Sequence, residues 1–303
     1  MTSTSPVSPQ AATLDIQPNP TLDDAILYTI CTRPSWAGPG QRTAACNARH
    51  LVRHLGGNIR LGDIKPTHVA RLRAQLAEDG HSGATVNRVL SVLSTVLRHC
   101  HQDGLLEAAP IPIRREKESE GRLTWFTKEE VNRLAESACL GLGLNKNLDS
   151  LVLFAAYTGL RRGEIWRLRI CDIDWEKKLI HVGGTESTIT KTGTHRIVPL
   201  CPIAECHLKL VASPDDDLNL CPWAELFPNV DVAMRQFNTA RDNAGISSDK
   251  VFHSLRHSFG TWHAEKGTPI RTIMALMGHK DIKTTLRYAK ATDESLFAAM
   301  KDL

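Results

Sequence analysis

The stretch VFHSLRHSFGTWHAEKGTPIRTIMALMGHKDIKTTLRYAK, residues 251–290, decides how the chain is read. Its spacing predicts one helix over Ser254–Lys266 and a second over Pro269–Met277. In the second, Ile270, Ile273, Met274 and Met277 recur at three- and four-residue steps. Pro269, directly after Thr268, suits a first helical turn, where its missing N–H would be unpaired anyway. In the first helix, His253-Ser254-Leu255-Arg256-His257 sets His253 and Arg256 three apart, so they share a face. Gly278-His279 follows the second helix, and Tyr288 comes nine residues after His279. A tyrosine on a late helix is ordinarily a half-buried packing residue, so Tyr288 gains meaning only from its companions.

Two companions lie upstream. Thr158-Gly159-Leu160-Arg161-Arg162-Gly163-Glu164 closes the apolar helical run Leu151–Tyr157 and opens a new helix start. An arginine after such a glycine turn can aim its fork at a phosphate, although surface arginine pairs are common. Residues Leu179–Val182, Ser187–Thr190 and Arg196–Leu200 alternate as strands do, with Thr192-Gly193 as a tight turn. Lys191 then falls on a hairpin tip, where a lysine is usually only solvated. A further helix is expected over Val230–Ala244. Thr127 and Glu130 form a capping box that starts the helix carrying Val131 and Leu134.

Further out, the chain divides. Residues 1–21, rich in Ser, Thr, Pro and Gln, read as a disordered tail. Residues 22–108 read as a small all-helical domain. Val86, Val89, Leu90, Leu93 and Leu97 form one stripe with Ser82 or Thr85 as cap, and Pro66 precedes a helix over Thr67–Glu78. Residues 109–121 (APIPIRREKESEG) read as a linker, and residues 122–303 as a mixed α+β domain. The fold class is therefore mainly α with a small antiparallel β-sheet.

The chain has 303 residues and a net charge of +4. It holds no apolar stretch near the ~18 residues that span a bilayer, and no secretory signal pattern. The distribution of charge says more than the sum. From Arg42 to Arg98 there are nine Lys/Arg, including Arg42, Arg49, Arg88 and Arg98, against three acids. Such an excess suits a polyanion binder and equally a solvated helical surface. The eight cysteines include no CxxC pair. Cys201, Cys206, His207 and Cys221 could be weighed as a zinc site, but paired ligand spacing is missing, and reduced thiols of a cytosolic protein are the simpler reading. Neither a GxxxxGK[ST] motif nor an acidic metal cluster stands near the motifs above.

The series TGLRRGE, TKTG with RIVPL, HSLRHSF, LMGH and TTLRYAK resembles, in order and spacing, the tyrosine recombinase (phage integrase) family across residues 122–303. LGDIKPTHVARLRAQLAEDG and ATVNRVLSVLSTVLRHCHQDGLL resemble its core-binding domain. The resemblance implies a helical, SAM-like core-binding domain followed by an α+β catalytic domain, in a two-domain layout like that of Xer-type enzymes or compact integrases. It implies a site-specific recombinase that cuts and rejoins DNA through a 3′-phosphotyrosine, with no metal and no ATP. Catalytic residues would be Arg161, Lys191, His253, Arg256, His279 and Tyr288. Glu164 would orient the first arginine. Arg42, Arg49, Arg88 and Arg98 would contact DNA. Implied partners are double-stranded DNA with paired inverted half-sites, a homotetramer with a dimer on each site, and accessory DNA-bending proteins. No membrane is involved, and a cytoplasmic, nucleoid-associated location is expected.

The chemistry explains the residue types. Two guanidiniums can grip the non-bridging oxygens of a phosphodiester and offset the charge of its pentacoordinate state. His279 could add a donor. Roughly one phenol in a thousand is ionised at pH 7, so Tyr288 needs a base or a cationic pocket, and His253 is the candidate base. The deoxyribose 5′-oxygen leaves poorly, and Lys191 is the candidate acid. A phosphotyrosyl ester conserves the bond energy for rejoining.

Two other readings compete: a type IB topoisomerase, and a DNA-binding regulator that kept the fold without the reaction. The core-binding resemblance weighs against the first, and the full set of catalytic residue types against the second. The segment Asp293–Leu303 reads as a short amphipathic helix (Leu296, Phe297, Met300), of a kind that in the family often docks on a neighbouring protomer. Truncation after Thr292 is expected to weaken assembly on DNA. A gel-shift titration with unchanged synapsis would contradict that expectation.

Overall fold

The computed structural model describes residues 16–36, 39–118, 123–183 and 195–288. The chain divides into two compact units, Met1–Gly121 and Arg122–Leu303. The residues before Ile16 and those after Tyr288 lie outside the described residues. With them lie Ser187–Thr190, Lys191 and the Asp293–Leu303 segment.

The first unit holds four α-helices among its described residues: α1 (Leu22–Thr32), α2 (Pro39–Leu55), α3 (Pro66–Glu78) and α4 (Gly83–Gln102). The stripe read along α4 is the one it buries, with Val86, Val89, Leu90, Leu93 and Leu97 all at 3% exposure or less. Ser82 caps it, its hydroxyl accepting from the Thr85 amide. Val69, Leu72 and Leu76 of α3 meet the same core, as do Leu22, Ala25 and Ile26 of α1 and Ala48 and Leu51 of α2.

Residues 109–118, the described part of the 109–121 stretch that reads as a linker, lie against these helices. Ile111 and Ile113 pack on the core. The Glu116 amide donates to Asn87 Oδ1 (2.7 Å), and Asn87 Nδ2 donates back to the Glu116 carbonyl (3.0 Å). Asn87 is the buried polar residue inside the apolar face of α4, and this strap satisfies it.

The second unit continues with α5 (Lys128–Leu140), α6 (Leu148–Thr158) and the single-turn α7 (Arg162–Ile165). A sheet follows: β1 (Ile173–Asp174), β2 (Leu179–Val182) and β3 (Arg196–Pro199), antiparallel in the order β1-β2-β3. Val182 pairs with Arg196 and Ile180 with Val198. Five helices follow: α8 (Pro202–Lys209), α9 (Pro222–Leu226), α10 (Val230–Asn243), α11 (Phe252–Glu265) and α12 (Ile270–Met277). The one-turn α13 (Ile282–Leu286) leads to Tyr288.

The architecture is therefore mainly helical with a small antiparallel sheet; the two-residue β1 and the short helices α8, α9 and α13 are not among the elements that pattern predicts. Helix α6 is apolar nearly all round, with Leu148, Leu151, Val152, Phe154, Ala155 and Ala156 buried, and forms the centre on which α5, α8 and α11 pack. The expected capping box is present: Thr127 Oγ1 accepts from the Glu130 amide, and Glu130 Oε2 accepts from the Thr127 amide. A smaller cluster of Phe259, Ile273, Met277 and Tyr288 joins α11, α12 and the end of the described chain.

Asn87→Ala would remove the two backbone hydrogen bonds of Glu116 and the bond to the Glu118 carboxylate, while the contacts of Arg73 with Arg114 and Glu116 remain. A destabilisation of about 1–3 kcal/mol is expected, measured by urea unfolding of the full chain.

Candidate active site

Two helix ends build the floor of the site. Gly159 closes α6 and Gly278 closes α12, both left-handed, at φ 63° and 64°. Only glycine adopts that conformation freely, and each turn leaves a carbonyl pointing at an arginine. The Gly159 carbonyl accepts from Arg256 Nη1 at 2.5 Å. The Gly278 carbonyl accepts from Arg161 Nη2 at 3.0 Å. Arg256 Nη2 also donates to the Met277 carbonyl. Two motifs more than ninety residues apart are thus brought together through the backbone.

Arg161 sits at the N-cap of α7 with its side chain 43% exposed. Glu164, one turn on, takes its backbone N–H at 2.7 Å and its Nη1 at 2.9 Å. Glu164 is also gripped by Arg196 of β3, Nη1 to Oε1 at 2.9 Å and Nη2 to Oε2 at 2.8 Å. Burial pushes the Glu164 pKa up, but the hydrogen bond and charge of Arg196, with those of Arg161, carry it down to about 2.

Arg256 is 3% exposed. Burial, then the neighbouring charge of Arg161, lowers its pKa to about 9, which leaves it a cation at neutral pH.

His253 lies at the surface of α11 one turn before Arg256. Desolvation of its ring, then the charges of Arg256 and Arg161, lowers its pKa. His279 is half-buried, and its Nδ1 lies 2.8 Å from the hydroxyl of the fully buried Thr285. Burial, then Arg256 and Arg161, takes its pKa to about 4. Its ring is parallel to that of Tyr288, with centroids 6.4 Å apart and planes at 9°.

Tyr288 itself is 6% exposed and packs in the cluster of Phe259, Ile273 and Met277. Its hydroxyl is 2.7 Å from Nδ1 of His257. Burial, then the repulsion of His253 and Arg287, lowers the His257 pKa to about 4, so that ring is neutral at pH 7. Burial raises the Tyr288 pKa against the pull of Arg256 and Arg287, so the phenol is protonated and donates to His257 Nδ1.

The sequence reading paired Tyr288 with His253. In the structure His257 is the histidine at the phenol, with the His253 ring edge-on to it at 4.9 Å. Two residues of this site, His257 and Arg196, were absent from that reading. The signal for His257 was its four-residue spacing from His253, which places both on one helical face.

Arg161, Arg256, His253, His279 and Tyr288 thus come together, and Lys191 lies outside the described residues. Beside them opens a cleft of about 900 Å³, lined by Arg161, Glu164, Arg167, Arg169, His279 and Lys280 among others. Arg42, Arg49, Arg88 and Arg98 are exposed on α2 and α4 of the first unit and take no part in this site. Near the cysteines, Cys206 is exposed and His207 Nδ1 lies 3.1 Å from Ser150 Oγ. No group of three or more metal-ligating side chains is found among the described residues.

The model of the phage integrase family matches residues 124–295, and the chain belongs to that family. The tyrosine recombinase XerA of Thermococcus onnurineus is 29% identical over 87% of this chain and 90% of its own length. The tyrosine recombinase XerA of Pyrococcus furiosus is 30% identical over 76% of this chain and 78% of its own. Among solved structures, the Tn1549 transposon integrase in complex with a circular intermediate DNA shares the fold. It superposes with a TM-score of 0.73 at 18% identity, covering 93% of this chain and 99% of that one.

The depressed histidines give a pH signature. His257 and His279 take up a proton near pH 6.5 when unfolded and near pH 4 when folded, so between these values the unfolded chain binds more protons. The stability they contribute is complete above about pH 6.5 and is lost as pH falls towards 4. Thermal unfolding across that range is expected to show a smaller loss in a His257→Gln, His279→Gln double variant than in the wild type. Equal slopes would refute the assignment of neutral rings.

Proposed function

We propose that the chain is a site-specific DNA recombinase whose nucleophile is Tyr288. The observation that carries this reading is the meeting of Arg161 and Arg256, both fixed by main-chain carbonyls, with a tyrosine whose hydroxyl proton already has a neutral acceptor. A phosphodiester entering beside them meets two cations that need no rearrangement to receive it. Arg161, the more exposed, offers its fork outward; Arg256 supplies charge from beneath.

In the proposed step the Tyr288 oxygen attacks the scissile phosphorus. Its proton passes to a ring nitrogen of the histidine pair, His257 being the nearer and His253 standing edge-on to it. The phosphorus–O5′ bond breaks, and the departing oxygen takes a proton from Lys191, in keeping with the family resemblance. The products are a 3′-phosphotyrosyl ester and a 5′-hydroxyl, and a second 5′-hydroxyl reverses the reaction on a new strand. His279, held by Thr285, adds a donor to the phosphate.

Exchange between two duplexes cuts four strands, which calls for a tetramer with a dimer on each pair of inverted half-sites. Arg42, Arg49, Arg88 and Arg98 would add phosphate contacts that are screened by salt. No described helix is long and apolar enough to cross a membrane, and association with the nucleoid follows from the substrate.

Nicked suicide duplexes, tiled across the DNA that flanks this gene, test the reading. The wild type is expected to form an SDS-resistant protein–DNA adduct. Tyr288→Phe is expected to form none, and Arg256→Ala to lower its formation by at least about 100-fold. Sequence-specific binding without any adduct would identify a regulator instead.

A further inference from the structure

Arg196 is the most completely engaged side chain near the site, yet it faces no substrate. It opens β3, opposite Val182, and its side chain is 12% exposed. Its Nε donates to the Leu276 carbonyl at 2.9 Å, one residue before the end of α12. Its two Nη atoms take one Glu164 oxygen each, in the fork geometry that only a guanidinium offers. Its stem lies so close to Gly278 that a Cβ there would come 2.8 Å from Arg196 Cδ.

These contacts close a ring. Arg196 holds Glu164, Glu164 holds the amide and Nη1 of Arg161, Arg161 Nη2 holds the Gly278 carbonyl, and the turn at Gly278 returns to Arg196 through Leu276. The ring fixes Arg161 and the turn carrying His279 in one frame. It also ties both to β3, the strand that leads out of the Lys191 segment.

We propose that Arg196 is a positioning residue for strand cleavage: through Glu164 and the Leu276 carbonyl it sets where Arg161 and His279 meet the phosphate. The proposal rests on the recombinase reading above. Without Arg196, Glu164 keeps its charge in a largely buried place with one guanidinium left to pair. The carboxylate, no longer held by a second fork, then turns to face the Arg161 guanidinium with both oxygens and pulls that fork out of register with the phosphate. A shift of this kind, on the order of 1 Å, costs about 100-fold in rate, while binding, which rests on many other phosphate contacts, changes little.

The test is single-turnover cleavage of the same suicide duplexes at saturating protein, alongside gel-shift affinity at fixed salt. Arg196→Ala is expected to slow cleavage about 100-fold with DNA affinity within about threefold of the wild type. Arg196→Lys keeps the charge but lacks the planar fork that spans the Leu276 carbonyl and both Glu164 oxygens, and should recover only part of the rate. Because Arg196 acts through Glu164, adding Glu164→Gln to Arg196→Ala should cost less than Glu164→Gln costs alone.

Full activity of Arg196→Ala or Arg196→Lys overturns the proposal while leaving the recombinase reading intact. So do rate losses that simply multiply in the double variant, or an Arg196→Lys protein whose rate and affinity fall together. A wild type that forms no adduct with any duplex removes the recombinase reading and this proposal with it.

Discussion

A single carboxylate, 15% exposed and clasped between two guanidiniums, holds the geometry of the candidate site in place. Glu164 takes four donors, two from Arg161 and two from Arg196, and each of those arginines ends on a carbonyl at the close of α12. Removing charges from water is expensive, and a buried pair recovers that cost only when its geometry is good and its remaining hydrogen bonds are made. Here they are made, and the carboxylate is driven to a pKa of about 2. The arrangement also leaves a surplus: one anion faces Arg161, Arg196 and the buried Arg256. In the proposed reaction a phosphodiester would offset part of that surplus.

That surplus shapes the surrounding groups. Burial first, and then Arg256 and Arg161, keeps His253 and His279 below their ordinary range, and burial, then His253 and Arg287, does the same for His257. A histidine that stays neutral at pH 7 can accept a proton, which a protonated one cannot. In the proposed reaction burial and charge would therefore work together: the cations would attract the phosphodiester, and the neutral rings would be free to take a proton. Tyr288 feels the charge of Arg256 and Arg287 too, but burial outweighs the pull, so the phenol stays protonated in its apolar seat.

Much of this was legible in the sequence. Residue types and their order gave the motifs, and helical periodicity with caps at Ser82 and Thr127 gave the elements around them. What pattern could not supply was depth and partner. Spacing puts His253, Arg256 and His257 near one another on α11. It cannot say that Arg256 lies under the surface on two carbonyls while His257 reaches Tyr288. Arg196 read as one position in an alternating strand, because a strand pattern tells which face a residue takes and not what lies beyond it. The strap at 109–118 was hidden by its charge and prolines, although the alternation of Ile111 and Ile113 with Pro110 and Pro112 was a trace of a one-sided apolar surface. Strand β1, at two residues, is below the length at which alternation can be seen.

The left-handed turns at Gly159 and Gly278 carry one more consequence. The acceptors they offer to Arg256 and Arg161 belong to the main chain, and no substitution can delete a main-chain carbonyl. It can only be displaced, by changing the path of the backbone. The tolerance of this site to sequence drift is therefore uneven. At the two glycines themselves a side chain would meet both a left-handed backbone and a close neighbour, Phe259 at one turn and Arg196 at the other, so these are the positions where the site is least free to change.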